Sequence, residues 1–149
     1  MRPITRIFWG YRGWLLAAVA ALALGCGEVK PLATGPDGGL PDPSATFTRV
    51  QGEVFAVSCA LSGCHTGTAP ASGLDLSPAA AYGNLVGIPA VQRAGLKRVE
   101  PGDPERSYLV KKMRGDADIS GGRMPPGGPY VEAQVRLVSD WVRRGAPRD

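Results

Sequence analysis

Apolar side chains return at intervals of three and four along several stretches of this chain, and no stretch alternates apolar with polar as a half-exposed strand would. In "SATFTRVQGEVFAVSC", Phe47, Val50, Val54, Phe55 and then Ser58 or Cys59 mark one face of an amphipathic helix, with Gly52 either weakening it or permitting close helix contact. In "LDLSPAAAYGNLVG", Ser77 as cap and Pro78 as first helical residue predict a short helix over about 78–85. "VEPGDPERSYLVKKMRGD" carries the clearest start and stop signals. Asp103 caps, Pro104 opens the helix, Glu105 lies in the first turn, Lys111, Lys112 and Arg114 lie in the last, and Gly115 ends it. Its inner stripe is Tyr108, Leu109 and Met113 or Lys112. A last helix over about 131–144 places Val131, Val135, Val138 and Trp141 or Val142 on one face, with Gly145 as stop.

Between these elements lie segments too rich in Gly and Pro for regular structure. Residues 62–73 form one such loop, and "ISGGRMPPGGP" is another, with four Gly and three Pro in eleven residues. The expected fold is all-α, four or so short helices joined by long Gly/Pro-rich loops. Such helices bury little surface. At about 25 cal/mol per Å2 against chain entropy, a domain of this size stands near balance. A bound group with a large apolar face would add the missing core.

Composition changes this picture chiefly at the N-terminus. The 149 residues carry a formal charge of +4, with 17 Lys and Arg against 13 Asp and Glu. Arg2, Arg6 and Arg12 fall in the first 25 residues, where there is no acid, so the remainder is nearly balanced and gives no ground for nucleic acid as a partner. Behind those arginines, Trp14 to Leu24 is an apolar run of eleven residues. A helix spanning hydrocarbon needs about 20, so the run matches the core of a secretory signal. Residues 1–25 are therefore expected to be a signal peptide. "ALGC", Ala23 to Cys26, resembles the lipobox of bacterial lipoproteins. That resemblance implies that Cys26 is lipidated and becomes the first mature residue, with enough acyl chains for stable anchoring. Gly27 in place of Asp implies, by the sorting pattern of enteric bacteria, delivery to the outer membrane facing the periplasm. Residues 26–43, rich in Pro and Gly, are expected to be a tether, and 44–146 the folded domain.

Export leaves two cysteines, Cys59 and Cys64, in an oxidising compartment, beside His65, the one histidine of the chain. Two thiols followed at once by a histidine suit covalent attachment of c-type haem, in which the imidazole must stand over the iron. The commonest spacing is C-x-x-C-H; here it is C-x4-C-H. On a regular helix, residues five apart differ by about 140° in direction, so the loop must bulge, and Gly63 suits a positive φ there. A single histidine excludes bis-histidine ligation within one chain, and methionine is the usual second axial ligand in cytochromes of the c type. Met113 lies in a predicted helix. Met124 lies in the irregular loop "GGRMPPGGP", 59 residues after His65, and is the expected ligand.

These segments together resemble the small cytochrome-c-like domains of exported bacterial proteins, many of them lipoproteins. The resemblance covers most of 47–146. It lies in a Phe-containing helix leading into "CALSGCH", in "GLDL", in "RVEPGDPERSYLVKK", in "RMPPGG" and in the last helix ending "WVRRGAP". It implies one covalent haem c per chain on Cys59 and Cys64, His65 as proximal and Met124 as distal iron ligand, and crossing first and last helices that bring Phe55 near Trp141. With both axial positions filled, electron transfer is expected rather than enzymatic chemistry, with membrane association through the lipid anchor and a redox protein as partner. A peroxidase would need a second haem or an open distal site.

The opposing expectation is a haem-free structural or interaction lipoprotein on the same scaffold, with a Cys59–Cys64 disulfide. Zinc needs four ligands and blue copper two histidines, and the mature chain supplies neither. A Cys64–His65 nucleophile pair lacks an orienting third group. The basic residues Arg93, Lys97, Arg98, Lys111, Lys112 and Arg114 are expected to be solvated faces, or else a rim that steers an acidic redox partner.

Overall fold

The computed structural model describes residues 39–149. The expected signal peptide, Cys26 and most of the expected tether lie outside the described residues. Within them the chain is all-α. The helices are α1 (Phe47–Val50), α2 (Ala81–Leu85), α3 (Tyr108–Arg114) and α4 (Glu132–Arg143), with 3-10 turns at Ala71–Gly73 and Pro104–Arg106. The only β contacts among the described residues are isolated bridges that tie residues 86–89 to 97–99 and Lys97 to Ser107. No helix here is long and apolar enough to cross a membrane.

The first helix departs from its expected form. Only Phe47–Val50 winds as α-helix; Gln51–Cys59 continues as a π-helix of nine residues, closed by i→i+5 bonds such as Ala60 N–H to Phe55 O at 2.7 Å. The inward positions accordingly step from Val50 to Val54 and Phe55, and then to half-buried Ser58 and Cys59, a repeat of four to five rather than three to four. Gln134 on α4 braces this segment by donating to Glu53 O at 2.9 Å and meeting Ser58 Oγ at 3.2 Å.

Helix α2 is shorter than expected. Residues 78–80 form a turn, and the Ser77 carbonyl, rather than its hydroxyl, accepts from Ala80 and Ala81. The expected helix at 104–114 is broken in two at Ser107, whose backbone is extended (φ −92°, ψ 109°). Ser107 is fully buried and its hydroxyl explains the break. The oxygen donates to Asp103 O at 2.8 Å and accepts from Glu100 N–H at 2.9 Å, holding the 3-10 turn against the 97–100 strand-like segment. The end signals themselves act as expected: Asp103 accepts from Arg106 N–H at 3.0 Å, and Gly115 takes the left-handed conformation at φ +82°. The inner face of α3 is Tyr108, Val110, Lys112 and Met113, while Leu109 is only half-buried. Helix α4 matches its expected span to within a residue, though Val131 is exposed and the buried face adds Leu137, Ser139 and Asp140.

The core forms where the N-terminal helix meets α4. The ring that meets Trp141 is that of Phe47, at 5.5 Å between centroids; Phe55 packs edge-on against Phe47 at 6.5 Å, and Tyr82 does so at 5.1 Å. Burial of large aromatic rings dominates such a core. The C-terminal segment seals it: Trp141 Nε1 donates to Pro147 O at 2.9 Å, Tyr82 Oη donates to Ala146 O at 3.0 Å, and Asp149 accepts from Thr48 N–H at 3.1 Å.

Candidate functional site

The site is built on the exit of the π-helix. Its last residue, Cys59, is half-buried, and its carbonyl accepts the His65 N–H at 3.1 Å, which closes the C-x4-C-H segment into a compact loop. Within it a turn joins Leu61 O to Cys64 N–H at 2.9 Å, and Gly63 takes φ +78° as its place in the loop demands. Two further bonds tie the loop to residues 71 and 76: Leu76 N–H donates to His65 O at 2.7 Å, and Ala71 N–H donates to Cys64 O at 2.8 Å.

His65 is oriented by its own ring. Nδ1 stands 3.2 Å from Leu74 O. A carbonyl only accepts, so Nδ1 is the donor, and in the neutral imidazole this leaves the lone pair on Nε2. Such a bond from the far nitrogen is how ligating histidines are fixed in tautomer and direction.

Cys59, His65 and Met124 line one cleft, with Leu74, Leu76, Leu85, Leu109 and Met113 as apolar wall. Tyr108, Gln92 and Arg98 supply polar groups at its border, and Arg98 is steadied by donating to Asn84 O at 2.8 Å. The structure therefore brings three of the four residues expected at a haem site together from segments up to 65 residues apart. Cys64 does not line this cleft. It lies half-buried in the adjoining loop, near enough for its charge to act on Cys59. Both cysteines are free thiols. Burial first, and Cys64 second, push the Cys59 thiol up to about 11, so it is protonated at neutral pH and has no character of an activated nucleophile.

The loop that carries Met124 is held by α3. Met124 N–H donates to Lys112 O at 2.8 Å, and Lys112 Nζ donates to Ser120 O at 2.9 Å and Gly122 O at 2.6 Å. Tyr108 Oη accepts from Ser120 N–H at 3.0 Å. Arg123 spans the far side, donating to Gly128 O and lying over the Tyr130 ring.

Reading residue 112 as part of a solvated basic face is thus corrected: Lys112 is 8% exposed. The signal was present, since position 112 falls four residues after Tyr108 on the inner stripe. Most of the other bases are engaged too. Lys111 pairs with Asp118 at 3.2 Å and Asp116 at 3.4 Å, Arg114 chelates Glu105 at 2.6 Å, and Lys97 meets Glu100 at 2.9 Å. Arg93 reaches Asp118 only at 3.8 Å.

Among the described residues no three His, Cys, Asp or Glu side chains cluster as a metal site. Besides the Cys59 thiol, protonated at neutral pH, the donors at the cleft are one imidazole and the thioethers of Met113 and Met124, a set that suits an iron already held in a macrocycle rather than a bare divalent ion. No family model matches the chain, and no curated protein or solved structure matches it either.

Proposed function

We propose that the chain is a monohaem c-type cytochrome, a carrier of single electrons built on a cytochrome-c-like fold. The observation that carries this reading is the convergence of Cys59, His65 and Met124 on one apolar cleft, with the His65 ring turned by Leu74 O so that Nε2 is free. Cys59 and Cys64 would hold one haem c through thioether bonds, with His65 as proximal and Met124 as distal iron ligand. Bound there, the haem would supply ferrous–ferric exchange. The chain's own part is to exclude water with Leu74, Leu76, Leu85 and Leu109, to fix the imidazole through Leu74 O, and to hold the Met124 loop against α3.

The cleft has a volume of about 120 Å3 and is partly open to solvent. A planar ring would leave an edge in solvent, which suits exchange with a partner protein rather than chemistry on a sequestered substrate. An acidic redox protein remains the partner class proposed. Its attraction would rest on few bases: Arg98 and Lys112, which line the cleft, donate to backbone carbonyls, and Lys97, Lys111 and Arg114 already have acidic neighbours. Export, lipidation at Cys26 and attachment to the outer membrane on its periplasmic side complete the reading.

The test is production of the full chain in a host that matures c-type haem, followed by intact mass and a haem stain after denaturation. One haem mass per chain that survives denaturation is expected, and replacing both Cys59 and Cys64 by Ala should abolish it. A colourless chain with no added mass overturns the reading. A mass lowered by two hydrogens would identify the Cys59–Cys64 disulfide form instead.

A further inference from the structure

Lys112 is the most deeply placed cation near the cleft, and none of its observed bonds is to a carboxylate. Its ammonium donates to two backbone carbonyls of one loop, Ser120 O and Gly122 O, while its own carbonyl accepts from Met124 N–H. A buried ammonium that lost those acceptors would remain desolvated and unpaired, so the contact is costly to break. The loop it grips has no helix or strand of its own, and Gly121 between the two accepting residues takes φ +69°. Residue 112 therefore pins the segment on both sides of Gly121 and again at residue 124. The same lysine lines the cleft together with Met113 and Met124.

We infer that Lys112 is a positioning residue for the Met124 thioether, fixing the loop so that the sulfur reaches the iron; this rests on the haem reading above. The fork of two carbonyl bonds gives the loop a single register against α3, and Tyr108 Oη repeats the restraint at Ser120 N–H. The ligand is thereby held by α3 rather than by its own flexible surroundings. The proposal concerns orientation alone: Lys112 makes no bond to the iron.

The experiment compares the full-length wild type with Lys112→Met in two states. In the haem-free chain, amide exchange at residues 120–124 is measured against α4 as an internal reference. In the haem-loaded chain, the weak long-wavelength ferric band of a thioether–iron bond is recorded, with cyanide affinity. The expected result is exchange at 120–124 at least tenfold faster with α4 unchanged, loss of the band, cyanide binding at least tenfold tighter, and haem mass retained. Unchanged exchange, or a retained band, overturns the inference.

If neither protein acquires haem, the haem reading fails while the exchange comparison still decides whether Lys112 holds the loop. Should Lys112→Met lose α4 protection, Gly121→Pro attacks the same contact from an exposed turn. It should remove the band with α4 protected, and a retained band there overturns the inference equally.

Discussion

Alkylation of Cys59 in the haem-free chain probes the interior of the cleft directly. Burial and Cys64 move its thiol from an ordinary 9.0 to about 11. At pH 8 the folded chain then holds about a hundredfold less thiolate at this position than the chain unfolded in urea. The more basic thiolate is also the better nucleophile, and a Brønsted slope of about 0.4–0.5 returns roughly six- to tenfold. Cys59 should therefore react with iodoacetamide about ten- to sixteenfold more slowly when folded than in urea, before any screening by the cleft walls. The assay is peptide-resolved mass spectrometry over a pH series from neutral to strongly alkaline. The logarithm of the folded rate should climb with unit slope to about pH 11, whereas in urea it should level near 9. A folded rate equal to that in urea, or one that levels near 9, would refute the argument from burial. Disulfide exchange also begins from a thiolate, so the same burial slows oxidation of Cys59 and would keep it available for the proposed thioether.

Two further outcomes are expected from the geometry around α3. Gly115→Ala should cost about 1–2 kcal/mol in urea unfolding, because its φ is +82° and a Cβ would lie 3.0 Å from Arg123 Cδ. Gly95→Ala, at φ +83° with open space around it, should cost only the backbone share; equal costs would show that the Arg123 contact carries no weight. Arg114 hydrogen bonds hold Glu105 below the usual carboxylate range, and at Asp116 the bonds to Arg114 and Lys111 outweigh the upward push of burial. A carboxylate whose value is lowered on folding stabilises the fold above its unfolded value and loses that increment as pH falls through the lowered one. The difference in unfolding free energy between wild type and Arg114→Leu should thus be full near neutrality, on the order of 1 kcal/mol or less per ion pair, and close as acid protonates Glu105 and Asp116 in the folded chain. A gap that widens in acid would contradict the assignment.

Much of this architecture was visible in residue types whose effects are local. Asp103 and Pro104 open a turn, and Gly115 and Gly145 end helices at positive φ, because caps and left-handed glycines act within a few residues. Gly63 bends the C-x4-C-H loop for the same reason. What stayed hidden depends on partners distant in sequence. The break at Ser107 needs the carbonyl of Asp103 and the amide of Glu100 arranged around one hydroxyl. The helical stripe places Lys112 inward, but the two loop carbonyls that satisfy its ammonium lie eight and ten residues on, and no local pattern announces them. Likewise the Leu74 carbonyl that turns His65 is a backbone atom, and backbone atoms leave no mark on side-chain composition.

The π-helix before Cys59 has a consequence for anyone redesigning this segment. Over Gln51–Cys59, i→i+5 winding falls behind ordinary α-helical winding by about half a turn. A template built with α-helical pitch would aim the Cys59 sulfur at solvent. Deleting a single residue there, or filling the stretch with strong α-formers, would tighten the coil and swing the thiol away from the cleft without altering any residue that lines it.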